Sequence, residues 1–418
     1  SEARITVLRA ASAAGFALRA MLGRRAHKQS ARLSRHKLRA LLKHAASNVP
    51  YYRELFRSAG IEPKDLDGPE VLDRLPISTK DELRAAGSTL LSERHKGAPL
   101  KIELTSGSSG QPFATYCDRE YVLARNLRFL RALLSTGYRP GHRLMLIAER
   151  PGSRLAAARR WYYCPLYAPS EEHARWFNEV RPDYLYGSVT PLRLLAQRLL
   201  DDGPDSFRRP DCVVTKGEML DTTTRRLLET AFKAPVLDFY GLTETGLVAW
   251  QHRRDPAYAI AADGVVVEKL PVEGTPDRFR LIVTNLDLWA MPIIRYDTGD
   301  IGVFAQPDSD APSLVRVEGR SADCVVGRGG EIFSPFQLTT ALQHLHGVVR
   351  FRVRQTSVDH IEVDLQSDAE DAAHLETEAI AQLARVLGTG FTISLRLVDG
   401  FAPGPSGKFR VVESAVKR

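Results

Sequence analysis

"DCVVTKGEMLDTTTRRLLETAFKAPVLDFY", residues 211–240, sets the fold class. It opens on an apolar run at Asp211–Thr215 and passes through a helical pattern at Thr222–Phe232. It closes on a second apolar run at Val236–Phe239. Strand, helix and strand in immediate succession predict a βαβ unit, whose parallel strands must be joined by a crossover helix. The same alternation extends upstream, with strand patterns at Arg143–Ala148 and Asp183–Tyr186 and helical patterns at Glu171–Val180 and Pro191–Leu200. From Val265 to Val317 short β segments with turns follow, among them "FRLIVTNL" and "DIGVFA". Beyond Gly319 the order becomes β, β, α, β, β, α, β, ending in the loop "DGFAPGPSGKFRVV". The expectation is a large amino-terminal α/β domain, residues 1–319, with β-sheets flanked by helices. A small, mobile α+β carboxyl-terminal domain, residues 320–418, completes it.

At 418 residues the chain can bury more than one core, and its formal charge is +8. That charge sits at one end. Residues 1–60 hold thirteen Lys and Arg against Glu2 and Glu54, so this basic helical lead-in carries about +11 and the remainder about −3. Such a face is either solvated or in contact with RNA, a membrane surface or an acidic partner. Helical periodicity runs over residues 3–58 with a stop at Asn48-Val49-Pro50, and Thr79 with Glu82 has capping-box spacing. Ala10–Leu22 is apolar but interrupted by Arg19, which reads as an amphipathic helix rather than a span. Cys117, Cys164, Cys212 and Cys324 are widely separated, and the pair His344 and His346 lacks further ligands nearby. This excludes a zinc framework or disulfide scaffold and suits a reducing, cytoplasmic setting.

No Walker A lysine, GxGxxG opening, HExxH or GxSxG elbow occurs. Five short polar motifs stand out instead. Thr105-Ser106-Gly107-Ser108-Ser109-Gly110, after the strand-like "LKIEL", offers free backbone N–H groups and hydroxyls to an anion, but a linker would look the same. "DFYGLTETG", residues 238–246, places Tyr240 and Gly241 at a strand end and Glu244 in the loop beyond. An aromatic there can stack a base and a carboxylate can hold Mg²⁺; a buried tyrosine and a helix-start glutamate read equally well. In "RYDTGDIG", residues 295–302, Asp300 could accept two ribose hydroxyls, or mark an ordinary turn. Gly319-Arg320-Ser321-Ala322-Asp323 marks the domain boundary, and Gly404-Pro405-Ser406-Gly407-Lys408 presents a lysine on a loop.

In this order the five motifs resemble those of the adenylate-forming superfamily, and most of all its phenylacetate–CoA ligase, CapK and coenzyme F390 synthetase-like branch. "HAASNVPYYRELFRSAGI", "LDRLPISTKDELR", "GYRPGHRLM" and "KGEMLDTTTRRLLETAF" look like that branch's opening and middle, so the resemblance spans residues 38–412. It implies an AMP-forming acid–thiol ligase. The substrate is an aryl or short acyl carboxylic acid, activated as its adenylate by ATP and Mg²⁺ and passed to CoA or a phosphopantetheinyl carrier protein. By resemblance, Thr105–Gly110 cradles the phosphates, and Gly217 and Glu218 line the adenine pocket. Tyr240 packs on the base beside Gly241 and Thr243. Glu244 holds Mg²⁺, Asp300 binds the ribose, Arg320 contacts ribose or phosphate, and Lys408 bridges the carboxylate and the α-phosphate.

One position departs from the pattern: the family's hinge Asp or Lys is replaced by Ala322, with Asp323 next. Transfer of the acyl group to an amine, or of AMP to a hydroxyl, therefore stays open as an alternative second step. A non-enzymatic nucleic-acid-binding protein is the reading from another class. Gly329-Gly330 lie where the family's pantetheine-facing loop would be, and "RRWYYCPLY", residues 159–167, lines an aryl pocket or fills a core. The expected state is a monomer or homodimer without a membrane span.

Overall fold

A computed structural model describes residues 26–66, 68–104, 113–148, 160–203, 207–253, 255–273, 275–306, 313–320, 323–342, 345–367, 369, 371–401 and 410–416. Strands β1 (Lys101–Leu104) and β2 (Ala114–Cys117) pair antiparallel, with Leu104 opposite Ala114. The central sheet holds β3 (Leu144–Ala148), β4 (Trp161–Pro165), β5 (Tyr184–Ser188), β6 (Cys212–Lys216) and β7 (Val236–Leu242). It continues through β8 (Gly246–His252), β9 (Asp255–Ile260), β10 (Val265–Pro271), β11 (Arg278–Asn285), β12 (Tyr296–Ala305) and β13 (Ser313–Arg320). These form one eleven-stranded sheet in the order β10-β11-β12-β13-β9-β8-β7-β6-β5-β3-β4.

The half from β4 to β7 is parallel, as the βαβ reading requires. Residues on these strands alternate between two cores. Val213 faces helices Ser170–Val180, Val189–Asp201 and Thr222–Phe232, packing with Leu192, Leu228 and Phe232. Cys212 and Val214 face the other way, with Leu133, Leu144 and Tyr184. The helix Thr222–Phe232 starts where expected because the Asp221 carboxylate accepts from the Thr224 N–H at 2.8 Å.

The antiparallel half folds back on the parallel half. From β7 to β12 is four strand steps, roughly 19 Å across a flat sheet. Yet the Tyr240 hydroxyl on β7 donates to Asp300 on β12 at 2.8 Å. The curl encloses a shared core to which Phe239, Tyr258, Val265, Leu281, Phe304 and Leu314 all contribute.

Past Arg320 a second unit begins. It contains the short pair β14 (Val325–Val326) and β15 (Ile332–Phe333), and a four-stranded sheet. That sheet consists of β16 (Val348–Ser357), β17 (His360–Ser367), β18 (Thr392–Leu397) and β19 (Val412–Ser414) in the order β18-β17-β16-β19. Leu338 and Leu342 on helix Pro335–Leu342 pack with Leu375 and Leu383 on helix Ala372–Leu387 against Val353, Ile361, Val363 and Leu365. β19 was not expected: it begins at Val412, the last residue of the segment read as loop, and pairing with β16 rather than local pattern makes it a strand.

The lead-in is part of the large unit. Helices Ala26–Asn48 and Pro50–Ser58 turn Leu38, Leu41, Leu42, Tyr52 and Phe56 onto Leu286, Leu288, Ile293 and Ile294. Arg32, Arg35, Arg39 and Lys43 face solvent. Lys37 turns inward and donates to Asp287 and to the Asp263 carbonyl, each at 2.7 Å. Arg128, almost wholly buried on helix Arg119–Ser135, pairs with the other Asp287 oxygen. No helix among the described residues is long and apolar enough to cross a membrane. The segment Ala10–Leu22 lies outside them.

Removing Asp287 strands a buried guanidinium. Asp287→Ala is expected to lower the unfolding free energy by about 3 kcal/mol or more in denaturant titration. Arg128→Met combined with Asp287→Leu should cost less than Asp287→Ala alone.

Candidate functional site

The site forms where the curl closes. β7 ends at Tyr240-Gly241-Leu242, and a turn over residues 243–245 leads straight into β8. Thr243 and Glu244 therefore sit in a hairpin turn, not at the start of a helix. The hairpin is tight at its base: a Cβ on Gly241 would lie 2.6 Å from the Gly246 carbonyl oxygen, so only glycine fits. From β11, the Asn285 amide donates to the Thr245 carbonyl at 3.2 Å and pins the turn.

Glu244 is buried and has two partners. Tyr296 donates to its Oε1 at 3.1 Å, and the Lys80 ammonium lies 3.0 Å from the same atom. Lys80 is a site residue that sequence reading missed, although it stands inside the quoted "LDRLPISTKDELR". Ser78 forms an isolated parallel bridge with Tyr296, which brings the segment against the start of β12. The Thr79–Glu82 capping box then starts helix Lys80–Ala86, leaving Lys80 at its first position. A cation there opposes the helix macrodipole, at a cost of about 0.3–1 kcal/mol. Glu244 supplies the reason for it. The signal available in sequence was a lysine immediately after an N-cap threonine.

Asp300 lies within β12, where Gly299 at φ +73° and an irregular register against β13 turn its side chain toward β7. Its register partner on β13 is Arg320. Burial pushes the Asp300 carboxyl up to about 6, against the opposing pull of Arg320 and the Tyr240 hydrogen bond. The Tyr240 phenol is held well above its usual range, first by burial and then by the Asp300 charge. Gly217 follows β6 at φ +72°, in the left-handed region that favours glycine. Glu218 accepts from both the hydroxyl and the backbone N–H of Thr190, in the first turn of helix Val189–Asp201.

Tyr240, Gly241, Thr243, Glu244, Asp300, Arg320, Gly217 and Glu218 all line one cleft of about 2090 Å³ between the two units. Lys80 from the large unit and Arg350, Arg352 and Arg410 from the small unit line it too. The loop Thr105–Gly110, Ala322 and Lys408 lie outside the described residues. Leu104 and Arg410, close to two of these in sequence, face the cleft. Asp323 pairs with Arg410 at 3.6 Å. The donor set suits a nucleotide, and no cluster of three or more His, Cys, Asp or Glu side chains placed to hold a metal ion occurs among the described residues. Asp300 is a buried acceptor that already takes the Tyr240 hydrogen bond on one oxygen, and Glu244 is a carboxylate paired with the Lys80 ammonium.

The raised Asp300 pKa has a definite sign. Above about pH 6 the buried carboxylate is ionised in the folded protein at a cost in stability. That cost disappears as pH falls toward the unfolded value near 4. Asp300→Asn carries no such cost. Its melting temperature relative to the parent should therefore be higher at pH 8 than at pH 5, by an amount corresponding to about 1–3 kcal/mol. An equal difference at both pH values in calorimetry would contradict the shift.

The CapK C-terminal domain family matches residues 325–415. Protein CapK of Staphylococcus aureus is 22% identical over 395 residues, covering 88% of this chain and 86% of that protein. Phenylacetate–coenzyme A ligase of Pseudomonas putida is 25% identical over 400 residues, covering 86% of this chain and 88% of that one. Among solved structures, 2-hydroxyisobutyryl-CoA ligase in the postadenylation state with 2-HIB-AMP superposes with a TM-score of 0.73 at 21% identity, over 91% of this chain and 88% of that one. The same ligase in the thioesterification state with 2-HIB-AMP and CoA gives 0.59 at 21% identity, over 93% and 90%. The chain is thus a homologue of CapK and of the phenylacetate–CoA ligases, built on the fold of the adenylate-forming CoA ligases and carrying a CapK C-terminal domain.

Proposed function

We propose that this protein is an ATP-dependent, AMP-forming ligase that activates a carboxylic acid as its adenylate and passes the acyl group to the thiol of CoA. The observation that carries the reading is the meeting, in one interdomain cleft, of Tyr240, Glu244, Asp300 and Glu218 from three separate segments. Relatives that include phenylacetate–CoA ligases, matched along most of the chain, support it.

In this reading the adenine lies beside Tyr240 and near Gly217 and Glu218. Its ribose hydroxyls donate to Asp300, and Arg320 faces the sugar–phosphate edge. The Thr105–Gly110 segment supplies backbone N–H groups and hydroxyls to the phosphates. Glu244 would hold Mg²⁺, which neutralises phosphate charge when bound. A cation at Glu244 would replace the Lys80 ammonium, freeing it for the phosphate oxygens. The acid's carboxylate oxygen attacks the α-phosphorus, the bond to the β-phosphate bridging oxygen breaks, and pyrophosphate leaves. Lys408 stabilises the charge building on the α-phosphate oxygens. The thiolate sulfur of CoA then attacks the acyl carbon, and AMP departs with the electron pair of the acyl–oxygen bond. These residues orient the reactants and balance charge, and the side chains form no covalent bond to substrate.

Carboxylate-dependent exchange of labelled pyrophosphate into ATP tests the first step. Exchange should appear with at least one aryl or short acyl acid and fall by about two orders of magnitude or more in Lys408→Ala. Glu244→Gln should raise the Mg²⁺ concentration needed for half-maximal exchange. Failure of every acid in a broad panel would remove the proposal.

A further inference from the structure

Where β13 meets the start of the small unit, one carboxylate is shared between the two. Glu318 is wholly buried, and three residues donate to it. Arg278 Nε donates to Oε2 at 2.7 Å, and Arg316 donates to Oε1 at 2.6 and 3.0 Å. Both arginines belong to the large unit. The third donor does not: the Ser334 hydroxyl, from the small unit, donates to Oε2 at 2.7 Å.

Ser334 stands where helix Pro335–Leu342 begins. Its Oγ accepts from the Gln337 N–H at 3.3 Å, and its own N–H donates to the Gln337 side chain at 2.8 Å, a reciprocal cap. The positive end of that helix therefore faces the Glu318 carboxylate, which favours the contact. Two residues on, the ring centroid of Phe336 lies 4.2 Å from the Arg316 guanidinium carbon. Pro335 closes over Gly319, where a Cβ would lie 3.3 Å from Pro335 Cγ. Arg316, Gly319, Pro335 and Phe336 all line the cleft.

The division of charge decides how firmly the units are joined here. Had Arg278 and Arg316 come from the small unit, parting the two would strand a buried carboxylate, at a cost on the order of 1000-fold in the equilibrium. With both on the unit of Glu318, its charge stays neutralised when the small unit moves. What is given up is a hydroxyl on a carboxylate, worth about 10-fold, and a half-buried cation–π contact, worth about 5-fold. Contacts of that size hold a position and can also release it.

Resting on the adenylation reading, we infer that Ser334 and Phe336 are positioning residues for the first half-reaction. Through Glu318 and Arg316 they hold the small unit over the cleft while the adenylate forms, and they let it go for transfer to CoA. In this arrangement small-unit residues line the same cleft as Tyr240, Glu244 and Asp300. The better superposition on the postadenylation state than on the thioesterification state of the same ligase agrees with that assignment.

The test compares the full-length parent with Ser334→Gly, Phe336→Leu, their double variant and Phe336→Tyr. Glycine is nearly as good an N-cap as serine, so Ser334→Gly removes the hydroxyl and spares the helix start. Two rates are measured: pyrophosphate exchange, and CoA-dependent consumption of preformed acyl-adenylate. The kcat/KM of the second divided by that of the first should rise about 10-fold in Ser334→Gly and about 5-fold in Phe336→Leu. It should rise further in the double variant, and Phe336→Tyr should match the parent. A ratio that stays constant in the double variant, whether both rates hold or both fall together, overturns the inference. So does a ratio that falls. In parallel, Asp201→Cys and Arg385→Cys, at exposed positions of the two units, carry a fluorophore pair for single-molecule energy transfer, the four native thiols being buried. Should no acid support exchange, that distance distribution decides. A shift in the double variant would leave the positioning role standing and remove the adenylation reading, and an unchanged distribution would remove both.

Discussion

The site depends on the bend in the central sheet. Flat, the sheet would hold Tyr240 and Asp300 roughly 19 Å apart. Curled, it joins them by a hydrogen bond of 2.8 Å. Twist is inherent to strands of L-residues, and bulges sharpen it. β7 and β8 slip register between Tyr240 and Gly241, β8 and β9 between Gln251 and His252, and β12 and β13 slip twice, once beside Asp300. The irregularities therefore fall where the bend has to be. Burial of the apolar face inside the curl drives it closed, and the polar strand ends are left facing the cleft.

That geometry sets the electrostatics. A carboxylate at the seam is removed from water before any ligand arrives, so the Asp300 carboxyl titrates near 6 and is poised to accept hydroxyls. Glu244, equally buried, is neutralised by Lys80. Both arrangements cost stability or helix propensity in the unliganded protein. Functional sites commonly carry such strain, and a bound nucleotide and cation would relieve it.

Much of the parallel half was legible because each element carries its own signal. Thr222–Phe232 has a capping aspartate and clean periodicity, and its bounds match. Helix Arg119–Ser135 was missed for a definite reason. Arg128 stands on its buried face, and the charge that satisfies it, Asp287, is 159 residues away in sequence. β4 was read only as a cluster of aromatics, since an edge strand shows no two-sided burial. Within the site, residues in short glycine-bearing motifs could be named from sequence. Lys80 and Arg410 could not, because what makes each one notable is the partner or wall it meets across the fold.

The placement of residues at the junction of the two units is compatible with a cleft that serves both steps of the proposed reaction. Arg320 ends β13 opposite Asp300 and so belongs to the large sheet. Asp323 is tied to Arg410, which precedes β19 in the small unit's sheet. Superposition is better on a ligase in its postadenylation state than on the same ligase in its thioesterification state. A turn of the small unit would carry Asp323, Arg410, Arg350 and Arg352 together and leave Arg320 beside Asp300. The arginines facing the cleft would then change while the residues assigned to the adenylate stayed in place. In the proposed reaction that division would let one large-unit surface hold the intermediate while the small unit exchanges the groups it brings to each half.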